Sequence, residues 1–189
     1  DILERLTVIF NSSGNMLIST IDGCIQMKSY LTGNPLLRLA LNEDLVIGKE
    51  HAGYGGCVLD DCNFHECVKL DDFDENKKLN FLPPEGEFVV MNYRVTSEFD
   101  APFNIYPNIE EITEFQVEMI LRITADIPSK NYGANVVVTM PVPSSATTVT
   151  PSLQADAVGQ GAEYREKDKK VVWAIRKWEC FRNWSGSCQ

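Results

Sequence analysis

Histidine is scarce: His51 and His65 are the only two in 189 residues, so imidazole chemistry has little to work with. No G-x-S-x-G nucleophile turn, no G-x-x-x-x-G-K-[ST] phosphate loop and no H-E-x-x-H metal helix occurs in the chain. Each absence removes one class of enzyme, and no enzymatic activity is expected. Long apolar runs are missing too: a spanning helix needs roughly 18 to 20 consecutive apolar residues, and nothing approaches that. The opening Asp1-Ile2-Leu3-Glu4-Arg5 lacks the layout of a signal peptide. It also lacks Met, so the chain is expected to be a fragment. Basic residues are in deficit, 17 Lys plus Arg against 27 Asp plus Glu, leaving a net charge of −10. That sign opposes a nucleic-acid footprint or adhesion to anionic lipid, so any membrane contact must be local or borrowed. What is present is ordinary: 44% apolar and 23% charged residues, the composition of a folded globular segment with a sizeable core.

Cysteines number six, Cys24, Cys57, Cys62, Cys67, Cys180 and Cys188, and both Asn11-Ser12-Ser13 and Asn183-Trp184-Ser185 match the glycosylation pattern. An extracellular, disulfide-bonded β-sandwich serving adhesion or carbohydrate binding therefore stands as one reading. Cys57, Cys62 and Cys67 recur at five-residue intervals around His65, which does not fit the tight C-x2-4-C spacing of structural zinc. Buried, reduced thiols are the other reading; that favours the cytosol, with no metal and no cofactor. The pairs Asp60-Asp61, Asp71-Asp72 and Asp74-Glu75 read as turn residues, since the D-x-[DN]-x-[DN]-G calcium loop is missing. Lys167-Asp168-Lys169-Lys170, with Glu163 and Glu166 beside it, reads as a polar approach to a strand.

Alternation of apolar and polar residues dominates the rest. In Phe115 to Ile127 every odd position is apolar, which predicts a long strand burying its odd side chains. Leu6 to Phe10 and Met16 to Ile21 flank Asn11-Ser12-Ser13-Gly14-Asn15, a hairpin with the turn residues it needs. Ile25 to Leu31 and Leu36 to Leu41 flank Thr32-Gly33-Asn34-Pro35 and predict a second hairpin. Further strands are expected at Gly56 to Leu59, His65 to Leu70, Leu79 to Leu82, Glu87 to Val95, Asn135 to Met140 and Val171 to Ile175. Gly48 to Gly56 and Pro141 to Ala162 read as long irregular stretches. No apolar stripe of helical period persists, and no linker or internal repeat is visible. The fold class is all-β, with strands at the spacing of a sandwich.

Three ordered motifs carry a resemblance. Ile25-Gln26-Met27-Lys28-Ser29-Tyr30-Leu31-Thr32-Gly33-Asn34-Pro35, followed by Leu39-Ala40-Leu41-Asn42-Glu43, resembles the C-terminal mu homology domain of the medium subunits of clathrin-adaptor-type complexes. The segment Asp60 to Leu70 looks like that family's D-D-x-x-F-H-x-x-V-x-L motif, and Pro83 to Arg94 like its P-P-x-G-E-F-x-x-M-x-Y-R motif. Asp1-Ile2-Leu3-Glu4 is similar to the first strand of that domain. The stretch from Lys28 to Asn42 is nearest in flavour to the medium subunit of adaptor complex four, as found in plants. Val171 to Lys177 also matches a family strand, whereas Trp178 to Gln189 departs from the pattern. The expectation is a partial mu homology domain over residues 1–178 and a divergent tail over 179–189, incomplete at the C-terminal end and loosely ordered beyond Trp178.

The resemblance implies an elongated antiparallel β-sandwich of two subdomains that recognises tyrosine-based Y-x-x-Φ signals, where Φ is a bulky apolar residue, in the cytosolic tails of membrane cargo. Such a peptide is extended and adds to a sheet edge. By motif position Asp1 accepts the phenol hydroxyl's hydrogen bond and Lys28 lies beside it. The family's aromatic two places before that Asp, and the Trp and Arg of its W-V-R strand, fall outside this chain. A second peptide groove attributed to the complex-four branch uses the strand of Phe64 and a cation at the position of Asn92, and the cation is lacking here. The implied partners are the large and small subunits of the heterotetrameric complex, and a small Arf-type GTPase acting through it. The implied place is cytoplasmic, peripheral on trans-Golgi, endosomal or coated-vesicle membranes.

Overall fold

Alternation becomes antiparallel pairing in both halves of the chain. The structure, a computed structural model, describes residues 1–48, 58–97, 99–154, 157–179 and 184–188. Two units divide it, residues 1–99 and 100–189, and no Pro- or Gly-rich linker marks the division in the sequence. The all-β expectation holds: the one α-helix among the described residues is a single turn, and no helix there is long and apolar enough to cross a membrane.

The first unit opens with β1 (Ile2–Phe10) and β2 (Met16–Ser29). Their hairpin closes as expected: Asn11 Oδ1 accepts from the backbone N–H groups of Ser13 at 2.9 Å and Asn15 at 2.8 Å. Gly14 supplies the positive φ, +82°, that the turn needs. β2 runs unbroken through Asp22-Gly23-Cys24, where the sequence pattern reads two strands. There follow β3 (Leu37–Ala40), β4 (Val46–Ile47), β5 (Val58–Leu59), β6 (Asp61–Phe64), β7 (Val68–Lys69), α1 (Phe73–Asn76), β8 (Lys78–Phe81) and β9 (Gly86–Val95).

One sheet runs β1-β2-β9-β6, a second β3-β8-β7, and β4 and β5 form a short parallel pair. The expected second hairpin does not form: β3 keeps its alternation but pairs with β8, not with β2. Leu79, Phe81, Val90, Met91, Leu59, Leu45 and Phe73 make the buried core, with Ile25, Met27, Leu37 and Leu39 packed against it. A bulge shapes this core. Ile25 faces Met91 while Gln26 faces Val89, so Val90 is an extra residue and the buried side of β9 switches parity there. Val90 and Met91 are adjacent and both buried. Asp61 begins a strand where a turn is expected, and the chain reverses instead at His65, whose carbonyl accepts from Val68 N–H at 2.9 Å.

The second unit holds β10 (Phe103–Thr113), β11 (Gln116–Ala125), β12 (Tyr132–Pro141), β13 (Pro151–Leu153), β14 (Gln160–Arg165), β15 (Lys170–Glu179) and β16 (Trp184–Cys188). They form the sheets β10-β11-β16-β13 and β12-β15-β14. The stretch read as irregular from Pro141 to Ala162 thus holds β13 and the start of β14. The expected boundary at Trp178 lies inside β15, and residues 184–188 of the expected tail form β16 between β11 and β13. Leu121, Ile123, Trp173, Ile175 and Trp178 are the core. Trp173 buries its ring while its Nε1–H donates to Gln160 Oε1 at 2.8 Å, as a buried indole requires. The odd-position expectation for β11 holds at Leu121 and Ile123 and fails at Phe115 and Val117, which are exposed.

Candidate functional site

Asp1 and Lys28 share one face of the β1–β2 pair. The Asp1 ammonium donates to the Gln26 carbonyl and the Gln26 N–H donates to the Asp1 carbonyl, both at 2.9 Å. That extends the ladder whose next rung pairs Ile2 with Ile25. Side chains repeat every two residues on a strand, so Asp1, Leu3, Gln26 and Lys28 project to the same side. β1 is an outermost strand of its sheet among the described residues, so Asp1 lies at an edge.

Lys28 is held by a residue the sequence reading does not single out. Its Nζ pairs with Glu87 Oε1 at 2.5 Å, and Glu87 lies directly opposite it on β9. Both side chains are largely exposed, so the pair contributes about 0 to 1 kcal/mol to stability. Its consequence is positional: the ammonium is drawn toward β9, with a carboxylate on one side and the Asp1 edge on the other. Glu87 sits within the P-P-x-G-E-F motif, but only the β2–β9 register reveals that it meets Lys28.

The same face carries a transverse row of alternating charge. Arg5 faces Asp22, Asp22 faces Arg94, and Arg94 faces Asp61 across four strands. Arg94 Nε donates to Asp22 Oδ1 at 2.7 Å, and that bond, reinforced by the charges of Asp22 and Asp61, holds the guanidinium still more firmly protonated.

Phe64 lies elsewhere. It pairs with Met91, packs against the core, and meets the buried Phe73 edge-on with ring centroids 5.2 Å apart. Asn92, opposite Asn63, is exposed on the other face of the β6–β9 pair. Phe64 is therefore not brought together with Asp1, Lys28 or Asn92. His65 is a structural histidine: Nδ1 accepts from the Cys67 N–H at 3.3 Å and its ring packs edge-on against Phe88.

Cys24, Cys62 and Cys67 are free thiols; Cys57 lies outside the described residues. Burial pushes the Cys62 and Cys67 thiols up, and the carboxylates of Asp61 and Glu66 add to it. Among the described residues no three His, Cys, Asp or Glu side chains converge so as to hold a metal ion.

A model of the adaptor complexes medium subunit family matches residues 1–188. The AP-4 complex subunit mu of Arabidopsis thaliana is 45% identical over 185 residues, covering 94% of this chain and 41% of that protein. The AP-4 complex subunit mu of Dictyostelium discoideum is 32% identical over 205 residues, covering 94% and 38%. The chain thus spans about two fifths of the length of these curated relatives. Among solved structures, the yeast delta-COP-I mu-homology domain superposes with a TM-score of 0.67 at 12% identity, covering 99% of this chain and 72% of that one. The same yeast domain complexed with the Dsl1 WxWxV peptide gives 0.66 at 13%, covering 100% and 72%. At such identities the likeness speaks for the fold.

Proposed function

The chain belongs to the adaptor complexes medium subunit family, and on that premise we propose that it is the cargo-recognition part of a medium subunit, binding Y-x-x-Φ signals in membrane-protein tails. It works by binding, not by catalysis. The observation that carries the reading is the placement of Asp1 and Lys28 on one face at the edge of the β1–β2 pair. A phenol hydroxyl donates to the Asp1 carboxylate, and Lys28, paired with Glu87, lies on the same face of the strand pair. The peptide is extended and takes main-chain hydrogen bonds from a sheet edge, while alternate side chains fill pockets. That a relative in fold is solved with a peptide bound is in keeping with this mode.

In the whole protein the domain joins the large and small subunits of a heterotetrameric adaptor, and an Arf-type GTPase recruits that complex. It is then cytoplasmic and peripheral on trans-Golgi, endosomal or coated-vesicle membranes. The alternative of a disulfide-bonded extracellular sandwich loses support, because the family match runs through residue 188.

The test is an anisotropy titration of the full-length protein with a fluorescent Y-x-x-Φ peptide and its Phe counterpart. A site built to bond a hydroxyl rejects the analogue lacking it, so the Tyr peptide should bind at least tenfold more tightly. Equal binding of the two, or none, would overturn the reading.

A further inference from the structure

The β10–β11 hairpin carries an apolar stripe out of the core and into solvent. Phe103 to Glu110 pairs with Ala125 to Glu118, which puts Ile109, Val117, Met119, Leu121 and Ile123 on one face. At the root of that face Leu121 and Ile123 are buried; toward the tip Val117 is 49% and Ile109 61% exposed, and Phe115 in the turn is 93% exposed. The third strand, β16, flanks β11 only from Met119 to Ile123. Beyond Met119 the hairpin stands as a two-stranded ribbon among the described residues. Two strands alone are marginal in water, and contiguous exposed apolar surface on a folded domain marks a contact site.

The charges around the stripe have one sign. Glu111 stands opposite Val117 on that face and Glu114 lies in the turn, while Glu110 and Glu118 pair on the other face, and the sequence has no Lys or Arg from Val95 to Leu121. The first cation, Arg122, is turned onto the Tyr106 ring at 5.1 Å, which lies on the other face of the hairpin by register. Pro107 in the middle of β10 has no N–H to offer an added strand, so the face and tip, not the β10 edge, are the docking element.

We propose that this tip docks a cationic, apolar segment of a partner protein, one in which large apolar side chains flanked by Lys or Arg cover Ile109, Phe115 and Val117. Charge complementarity selects this occupant. A second copy would bring glutamate tip against glutamate tip on a chain of net charge −10, and an anionic membrane would be repelled likewise. The inference is independent of the Asp1 edge.

The test uses the full chain and a fluorescein-labelled twelve-residue peptide alternating Arg with Leu, beside its Glu-Leu counterpart. The Arg-Leu peptide should bind and the Glu-Leu peptide should not. Phe115→Ser with Val117→Ser should weaken binding at least tenfold, as should Glu111→Lys with Glu114→Lys. Asp71→Asn with Asp72→Asn and Asp74→Asn, an acidic group in the other unit, should leave it unchanged. Because the tip side chains are exposed, thermal unfolding should show all variants folded. No binding, or equal weakening by the Asp71 group, would overturn the proposal. So would a concentration-dependent dimer, or attachment to phosphatidylcholine–phosphatidylserine vesicles, that disappears with Phe115→Ser.

Discussion

The ring of Tyr93 lies directly over Gly23. Tyr93 faces Gly23 across the β2–β9 pair, its hydroxyl reaches past β2 to donate to Glu4 Oε1 on β1 at 2.6 Å, and a β-carbon at position 23 would fall within the space of the ring. Only glycine leaves room for that crossing. Three strands, β1, β2 and β9, are thereby tied together three residues along β1 from Asp1.

Gly23→Ala should therefore displace the Tyr93 ring and break its bond to Glu4, at about 1 to 3 kcal/mol as for other overpacking changes. In a Tyr93→Ala background the same substitution should be nearly silent, because the two side chains compete for one space. Urea unfolding of the four proteins checks this; full additivity would contradict it.

In the second unit, Leu121→Ala should cost roughly 2 to 5 kcal/mol as a core truncation, whereas Val117→Ala, four residues along the same face, should stay within about 0.5 kcal/mol. Chemical denaturation decides. Equal losses would mean that the tip of the hairpin is covered within the chain.

The raised Cys62 and Cys67 thiols set a pH dependence. The folded state holds these protons more tightly than the unfolded chain, so the contribution is fully present below the ordinary thiol value of about 8.5 and is lost as pH rises through the folded values. The urea midpoint should fall between pH 7.5 and pH 9.5 by more in the native chain than in Cys62→Ala with Cys67→Ala. An equal fall in both would contradict the assignment.

Local pattern reads strands well and partners poorly. Leu37 and Leu39 alternate with Arg38 as a strand should, yet nothing local says that Lys78–Phe81 will pair with them instead of β2. Gly23 breaks the apolar alternation of β2, and its reason is a ring that arrives seventy residues later in the chain. Alternation likewise announces that Phe115 and Val117 belong to an apolar face, without saying whether anything covers it. β10 escapes the pattern because Pro107, Glu110 and Glu111 interrupt it. At the candidate site Asp1 and Lys28 come from motif position, and the register puts them on one face; Glu87 is legible only once β2 and β9 are paired across the Val90 bulge.

The most direct measurement is a double-mutant cycle in the full-length protein, Asp1→Ala crossed with Tyr→Phe in a Y-x-x-Φ peptide, read by fluorescence anisotropy. If the Asp1 carboxylate accepts the phenol hydroxyl, the native protein prefers Tyr and the variant does not. The coupling energy should then be about 1 to 3 kcal/mol, the cost of leaving a buried polar group unpaired. A preference for Tyr that survives unchanged in Asp1→Ala would contradict the account.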